Sequence, residues 1–252
     1  MKIVRFTTGG RAEYGTLDDE VIHGIEGTPY RRLKHSSHRY QLSDVKLLPP
    51  CTPSKIVAIG LNYFKHGTEL KMAIPPEPLI FIKPSTAVIG SDDEIYYPDS
   101  SEQVDYEAEL GVVIKSRAYR VAEAKALDHV LGYTCFNDIT ARDLQKKDGQ
   151  WTRAKGFDTF AAIGPWIETE LDPANTGLEA RLNGEVKQRG NTRDLIFSVP
   201  RLISFISHIM TLLPGDVIAT GTPEGVGPMK HGDTIEIKVD KIGTLRNYVV
   251  KK

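Results

Sequence analysis

Glu107 and Glu109 stand two apart in VDYEAELGVVI, residues 104–114, just ahead of an apolar run. Side chains alternate across a β-strand, so Asp105, Glu107 and Glu109 share one face while Tyr106, Ala108 and Leu110 share the other. If the acidic face meets water, it needs no further account. If it is buried, like charges a few ångströms apart require cations or a metal ion among them. Asp138 closes the strand-like YTCFND, ahead of ITARDLQ, where a strand end can bring a third carboxylate beside the first two. Three carboxylates present hard oxygen ligands, which suit Mg²⁺, Mn²⁺ or Ca²⁺ rather than zinc or copper. Capping of the following helical turn is the other role open to Asp138.

His66 and Glu69 lie three apart in LNYFKHGTELKM and share a face if this segment is helical. A carboxylate beside an imidazole holds its tautomer and raises its basicity, which is how a base that deprotonates water is built. Gly67 weakens such a helix, and a surface His and Glu in a loop is the plainer alternative. Arg142, Gln145 and Lys155 follow in ARDLQKKDGQWTRAKGF. Cations there can balance the acids or grip a substrate carboxylate, Arg bidentately, or they are ordinary surface charge. The turn-rich ATGTPEGVGP, residues 219–228, matches neither a P-loop nor a dinucleotide fingerprint. Its backbone N–H groups, with Thr222, can still hold a carboxylate.

The elements that must position these residues are mostly strands. KIVAIGLNY and PLIFIKP are short β-like runs with stops on both sides. VAEAKALDHVLG reads as a helix ending at Gly132, followed by the strand YTCFND. SVPRLISFISHIMTLLPG reads as a second helix, with Ser198 as N-cap, Pro200 in the first turn, and a core-facing stripe of Leu202, Phe205, Ile206, Ile209 and Leu213. The C-terminal DTIEIKVDKIGTLRNYVV alternates like antiparallel strands. The expected class is α+β and β-rich. Pro49, Pro50 and Pro53 mark a boundary between a small N-terminal β-module, residues 1–50, and a main domain, residues 51–252. The basic RRLKHSSHRY inside that module reads as a solvated loop.

Composition narrows the function classes. The 252 residues are 40% hydrophobic and 26% charged, ordinary for a globular domain. A net charge of −1 gives no general attraction to nucleic acid or anionic membranes. No apolar run approaches the ~20 residues of a membrane span, and MKIVRFTTGG lacks a signal-peptide core, so cytoplasm is the expected compartment. Cys51 and Cys135 form neither a disulfide framework nor a zinc knuckle.

Seven blocks in order, GLNYFKHGTE, PLIFIKPSTAVIG, VDYEAELGVVI, GYTCFNDITARDLQ, QWTRAKGFDTF, RLNGEVKQ and GDVIATGTPEGVG, together resemble the fumarylacetoacetate hydrolase family. The match runs from about Lys55 to the C-terminus, and residues 1–50 resemble the small N-terminal module of bacterial members. The resemblance implies a β-roll with flanking helices, usually a homodimer. It implies that Glu107, Glu109 and Asp138 ligate Mg²⁺ or Mn²⁺, that His66 and Glu69 form a water-activating dyad on a lid, and that Lys155 meets the substrate's enolate oxygens. Arg142, Gln145 and Thr222 would line the pocket. The implied substrate is a small 2-oxo or enol dicarboxylic acid reacting through a metal-bound enolate. Isomerisation of a 2-hydroxyhepta-2,4-diene-1,7-dioate, acylpyruvate hydrolysis, and oxaloacetate decarboxylation or tautomerisation all use such a site. A non-catalytic organic-acid binder and a purely structural β-protein are the rival classes.

Overall fold

The segments IVAIG (Ile56–Gly60) and AELGVVI (Ala108–Ile114) are buried at every position. Strands apolar on both faces belong inside a covered sheet, and that is where they lie in the computed structural model. The structure describes residues 1–69 and 73–251; residues 70–72, the tail of LNYFKHGTELKM, and residue 252 of the expected main domain lie outside the described residues. Among the described residues no helix is long and apolar enough to cross a membrane.

The protein is β-rich with short helices, as expected. One large mixed sheet runs in the order His35–Gln41, Val21–Ile25, Glu13–Asp18, Lys2–Thr7, Ala161–Glu168, Val130–Asp138, Ala108–Ile114, Val217–Ala219, Ile56–Gly60, Leu79–Lys83. The N-terminal strands join the rest through Lys2↔Glu168 and Ile3↔Ile167. A second sheet of five strands carries the C-terminal pair Thr234–Val239 and Gly243–Val250. Its Ile235, Ile237 and Leu245 share one core with Leu110, Val112 and Ile114 of the large sheet. Among the described residues four α-helices interrupt the strands: α1 (Phe64–Glu69), α2 (Arg142–Asp148), α3 (Thr152–Lys155) and α4 (Val199–Ile209).

Three segments differ from the sequence reading. In VAEAKALDHVLG the turns at Glu123–His129 are 3₁₀, and the strand begins at Val130. Gly132 therefore ends no helix; it lies within the strand, where an added Cβ would sit 2.5 Å from the Glu168 carbonyl oxygen. Helix α4 has its Ser198 cap but stops at Ile209, so Ile209 and Leu213 fall outside the buried stripe, at 54% and 41% exposed. Its buried residues are Val199, Leu202, Ile203, Ser204, Ile206 and Ser207, and Phe205 of the expected stripe is only partly buried. RRLKHSSHRY is a loop only in its first part, because His35–Gln41 pairs with Val21–Ile25 as an edge strand and sets Tyr40 edge-on against Phe6.

Two features of the backbone position the candidate site. The strand through Glu107 is broken there: Val104–Tyr106 pairs in a small three-stranded sheet, while Ala108–Ile114 pairs in the large one. Just before α1, the fully buried Asn62 donates from Nδ2 to the carbonyls of Phe197 (3.1 Å) and Thr220 (2.8 Å). Its Oδ1 accepts from the Phe197 N–H at 2.8 Å. With every amide function of its side chain engaged, Asn62 is the fixed root of α1. Asn62→Ala strands buried backbone groups and is expected to cost about 2–4 kcal/mol in chemical unfolding; a loss under about 1 kcal/mol would contradict that role.

Candidate active and metal site

The three acids come together. One carboxylate oxygen each from Glu107, Glu109 and Asp138 lies within 4.8 Å of the others, and all three residues are buried. The broken strand explains how. Glu107 donates its N–H to Asn137 Oδ1 at 2.9 Å and accepts the Asp138 N–H at 2.9 Å, which sets it beside the end of the strand Val130–Asp138. Glu109 stays in the regular ladder opposite Phe136. The gap at Glu107 is sealed by Gln188, whose Oε1 accepts from the Ala108 N–H at 2.9 Å and whose Nε2 donates to Thr222 Oγ1 at 2.8 Å.

Cations surround two of the three. Lys155, at the end of α3, donates to Glu107 Oε2 at 2.8 Å and to Asp138 Oδ2 at 2.7 Å. Lys83, at the end of the strand Leu79–Lys83, donates to Asp138 Oδ1 and to the Ile139 carbonyl. Arg142 opens α2 and gives NH2 to Glu107 Oε1 at 2.5 Å, Nε to Asp105 Oδ2 at 2.8 Å and NH1 to Gln145 Oε1 at 2.7 Å. Burial alone would raise the Glu107 pKa, but Lys155 and Arg142 overcome it and hold the carboxyl well below the usual range. Burial likewise opposes the charge on Lys155, yet Asp138 and Glu107 leave its pKa raised. For Lys83 burial wins: against the pull of Asp138, and helped by repulsion from Lys155, it brings the ammonium down to about 8.

Glu109 is the exception. The only hydrogen bond to its carboxylate among the described residues is from the Gly221 N–H, to Oε2 at 2.8 Å. Burial and the neighbouring charges of Asp138 and Glu107 raise its pKa well above the ordinary value, against smaller opposing effects of Lys155 and Gly221. Three hard oxygen donors, one of them lacking a cation, fit a divalent ion of the Mg²⁺ and Mn²⁺ type. The Lys155 ammonium already lies between two of those carboxylates, as a cation must.

The remaining expected residues fall around the same space. His66, Arg142, Gln145, Lys155 and Thr222 line a cavity with the acid trio, walled by Phe81 and Trp151. His66 Nδ1 lies 3.1 Å from Glu69 Oε2, and the other Glu69 oxygen accepts the Gly225 N–H at 3.0 Å. The cavity measures about 20 Å³, room for roughly one water. The ATGTPEGVGP segment thus holds carboxylates by its backbone N–H groups, but the protein's own: Gly221 that of Glu109 and Gly225 that of Glu69. Lys83, Asp105 and Gln188 were not identified as site residues. Asp105 shares its strand face with the two glutamates, and Lys83 is a charge ending an apolar strand, so both left a signal; Gln188 left none.

Comparison with known proteins follows these residues. Residues 55–250 match the family model described as fumarylacetoacetate (FAA) hydrolase C-terminal, and residues 1–50 match the one described as Rv2993c-like, N-terminal. The crystal structure of 2-hydroxyhepta-2,4-diene-1,7-dioate isomerase from Mycobacterium marinum superposes with a TM-score of 0.94 at 42% identity, covering 100% of this chain and 99% of that one. The 2,4-didehydro-3-deoxy-L-rhamnonate hydrolase of a Sphingomonas strain is 38% identical, over 99% of this chain and 96% of its own. The mitochondrial oxaloacetate tautomerase of Xenopus laevis is 42% identical, over 86% of this chain and 72% of its own.

The lone position of Glu109 has a pH signature. Its folded-state pKa lies above the ordinary 4.5, so the metal-free folded chain holds this proton more tightly than the unfolded chain does. The stabilisation is complete below the ordinary value and is lost as pH rises through the folded one. Glu107, shifted the other way, acts only at lower pH, and Lys83 only from about 8 upward. With a chelator present, Tm is expected to fall as pH rises from the ordinary carboxylate value up through the raised one of Glu109, and Glu109→Gln to flatten that slope. The same slope in both proteins would sink the assignment.

Proposed function

This chain belongs to the fumarylacetoacetate hydrolase family, and we propose that it is a divalent-metal enzyme acting on a small 2-oxo or enol dicarboxylic acid. Its reaction on this reading is isomerisation of a 2-hydroxyhepta-2,4-diene-1,7-dioate-type substrate or hydrolysis of an acylpyruvate C–C bond. One observation carries the proposal: three buried carboxylates converge, and Glu109 among them has no cation. Electrostatics supports the acid class. Asp105, Glu107, Glu109 and Asp138 against Lys83, Arg142 and Lys155, all buried, leave one negative charge. A divalent ion turns that into one positive charge, which a substrate carboxylate neutralises.

Held by Glu107, Glu109 and Asp138, Mg²⁺ or Mn²⁺ would supply Lewis-acid polarisation of the 2-oxo group. The chain's own residues do the rest. Lys155 answers negative charge developing on the substrate oxygen, and it is placed to do so once a cation takes its share of Glu107 and Asp138. Gln145, Thr222 and the outer edge of Arg142 orient the substrate carboxylate. His66, its ring fixed by Glu69, takes a proton from water when the reaction is hydrolytic; in isomerisation it takes one from one carbon of the substrate chain and returns it to another. Phe81 and Trp151 keep bulk water from the reacting atoms.

A second reading, keto–enol tautomerisation or decarboxylation of oxaloacetate, draws on the Xenopus laevis relative and needs the same trio without activated water. A panel of the diene dioate, an acylpyruvate and oxaloacetate at saturating Mg²⁺, with products identified, tests both; failure to turn over any of the three overturns the enzyme reading. Glu109→Ala is expected to abolish Mn²⁺ binding and turnover together, and full activity without bound metal would refute it. His66→Ala is expected to slow hydrolysis about 10²–10⁴-fold while sparing decarboxylation. Equal loss of both reactions would remove His66 from the role of water activator.

A further inference from the structure

Arg142 at the substrate does not account for the carboxylate behind it. Asp105 is 2% exposed and is not part of the cavity wall. Its backbone is held from both sides, paired with Thr140 and with Pro228. Gln103 Nε2 donates to Oδ1 at 3.0 Å and to Oδ2 at 3.3 Å, fixing the carboxylate plane. The Gln103 carbonyl in turn accepts the Arg142 N–H at 2.8 Å, tying the start of α2 to the same strand. Oδ2 then takes Nε of Arg142 at 2.8 Å.

A guanidinium is a rigid planar fork, so fixing Nε fixes where NH1 and NH2 point. Here NH2 reaches only Oε1 of Glu107, and NH1 goes to Gln145. Freed of Asp105, the fork would be able to close bidentately on Glu107, the stronger pairing for Arg with a carboxylate. That would place an uncompensated positive charge on an acid of the trio and turn the donor edge away from the cavity.

We propose that Asp105 is a positioning residue: it holds Arg142 by Nε, so that Arg142 shares Glu107 with a cation instead of sequestering it and keeps its outer N–H groups toward the cavity. The consequence for metal and substrate rests on the function proposed above; the hold of Asp105 on Arg142 does not. Asp105→Asn keeps an acceptor for Nε, whereas Asp105→Ala removes it, so the conservative variant separates aim from bulk.

The test has two arms. In the metal-free protein, NMR is expected to show a slowly exchanging Arg142 Nε–H signal, identified by its loss in Arg142→Lys. The signal persists in Asp105→Asn and is shifted or lost in Asp105→Ala, or in Asp105→Ser should the alanine variant not fold. By calorimetry the Kd for Mn²⁺ is expected to rise about tenfold or more in Asp105→Ala, less in Asp105→Asn, and not at all when Asp105→Ala is added to Arg142→Met. An unchanged Nε–H signal in the folded alanine or serine variant overturns the proposal. So does an equal loss of Mn²⁺ affinity with and without Arg142. A wild-type protein that binds no Mn²⁺ overturns the metal reading alone, and the Nε–H arm then decides for Asp105.

Discussion

Three carboxylates buried within a coordination distance of one another stand only if positive charge is buried with them. Two unit charges 4 Å apart repel by about 4 kcal/mol at the effective dielectric typical of proteins, and burying each ion costs more again. The protein answers with Lys83, Lys155 and Arg142, each 3% exposed or less. None is a free surface charge recruited from nearby. Each ends or begins a short element whose position the acids require: the last residue of a strand, the last of α3 and the first of α2. The arrangement is costly in desolvation, and it still leaves Glu109 without a cation. A site meant only for stability would be better served by apolar residues of similar volume. On the proposed function, the imbalance is what a divalent ion requires of the fold.

The same constraint explains why the backbone breaks where it does. A continuous ladder through residues 104–114 would give Glu107 an ordinary cross-strand partner and bury its N–H in the sheet. Instead its N–H goes to a side chain, Asn137 Oδ1, and the next N–H, of Ala108, goes to Gln188. Both substitutes are amides, which satisfy backbone groups without adding charge to a site already over-charged. Gln188 then braces Thr222 and the Pro223 carbonyl. The loop that delivers Gly221 to Glu109 is thus tied to the gap that delivers Glu107, and the two glutamates are positioned by one shared support.

Strand alternation pointed to Glu107 and Glu109 together, and a strand end to Asp138, because both are local features of the sequence; the break at Glu107 that sets it beside Asp138 is not local. Charge compensation is not local. Lys83 lies 55 residues before Asp138 in the chain, and within PLIFIKP it reads as the polar stop of a strand. Gln188 sits in a polar run, KQRGN, with nothing to distinguish it from its neighbours. The errors in the helices have a similar origin. An added Cβ at Gly132 meets the Glu168 backbone, a tertiary fact that mimics a helix stop in sequence. Leu213 keeps helical spacing past the end of α4, although the chain has already turned at Met210 into extended backbone.

The small cavity carries the last step. At about 20 Å³ it is smaller than a 2-oxo diacid, so on the proposed function α1 and the TPEGVG loop would part to admit one. Among the described residues two polar contacts join them: the Gly225 N–H to Glu69 Oε1, and Lys65 to Glu224 at 3.4 Å, the latter exposed and weak. Glu69 is also the partner of His66, through its other oxygen. One carboxylate therefore serves both the fastening of α1 and the orientation of the imidazole. Separating α1 from the loop would leave the His66 contact within the helix but remove the second restraint on that carboxylate, and return of α1 would restore it. On the proposed chemistry, the base is then fully oriented only when the cavity is closed to bulk water. This coupling needs no additional element, because it follows from the two oxygens of a single residue facing in different directions.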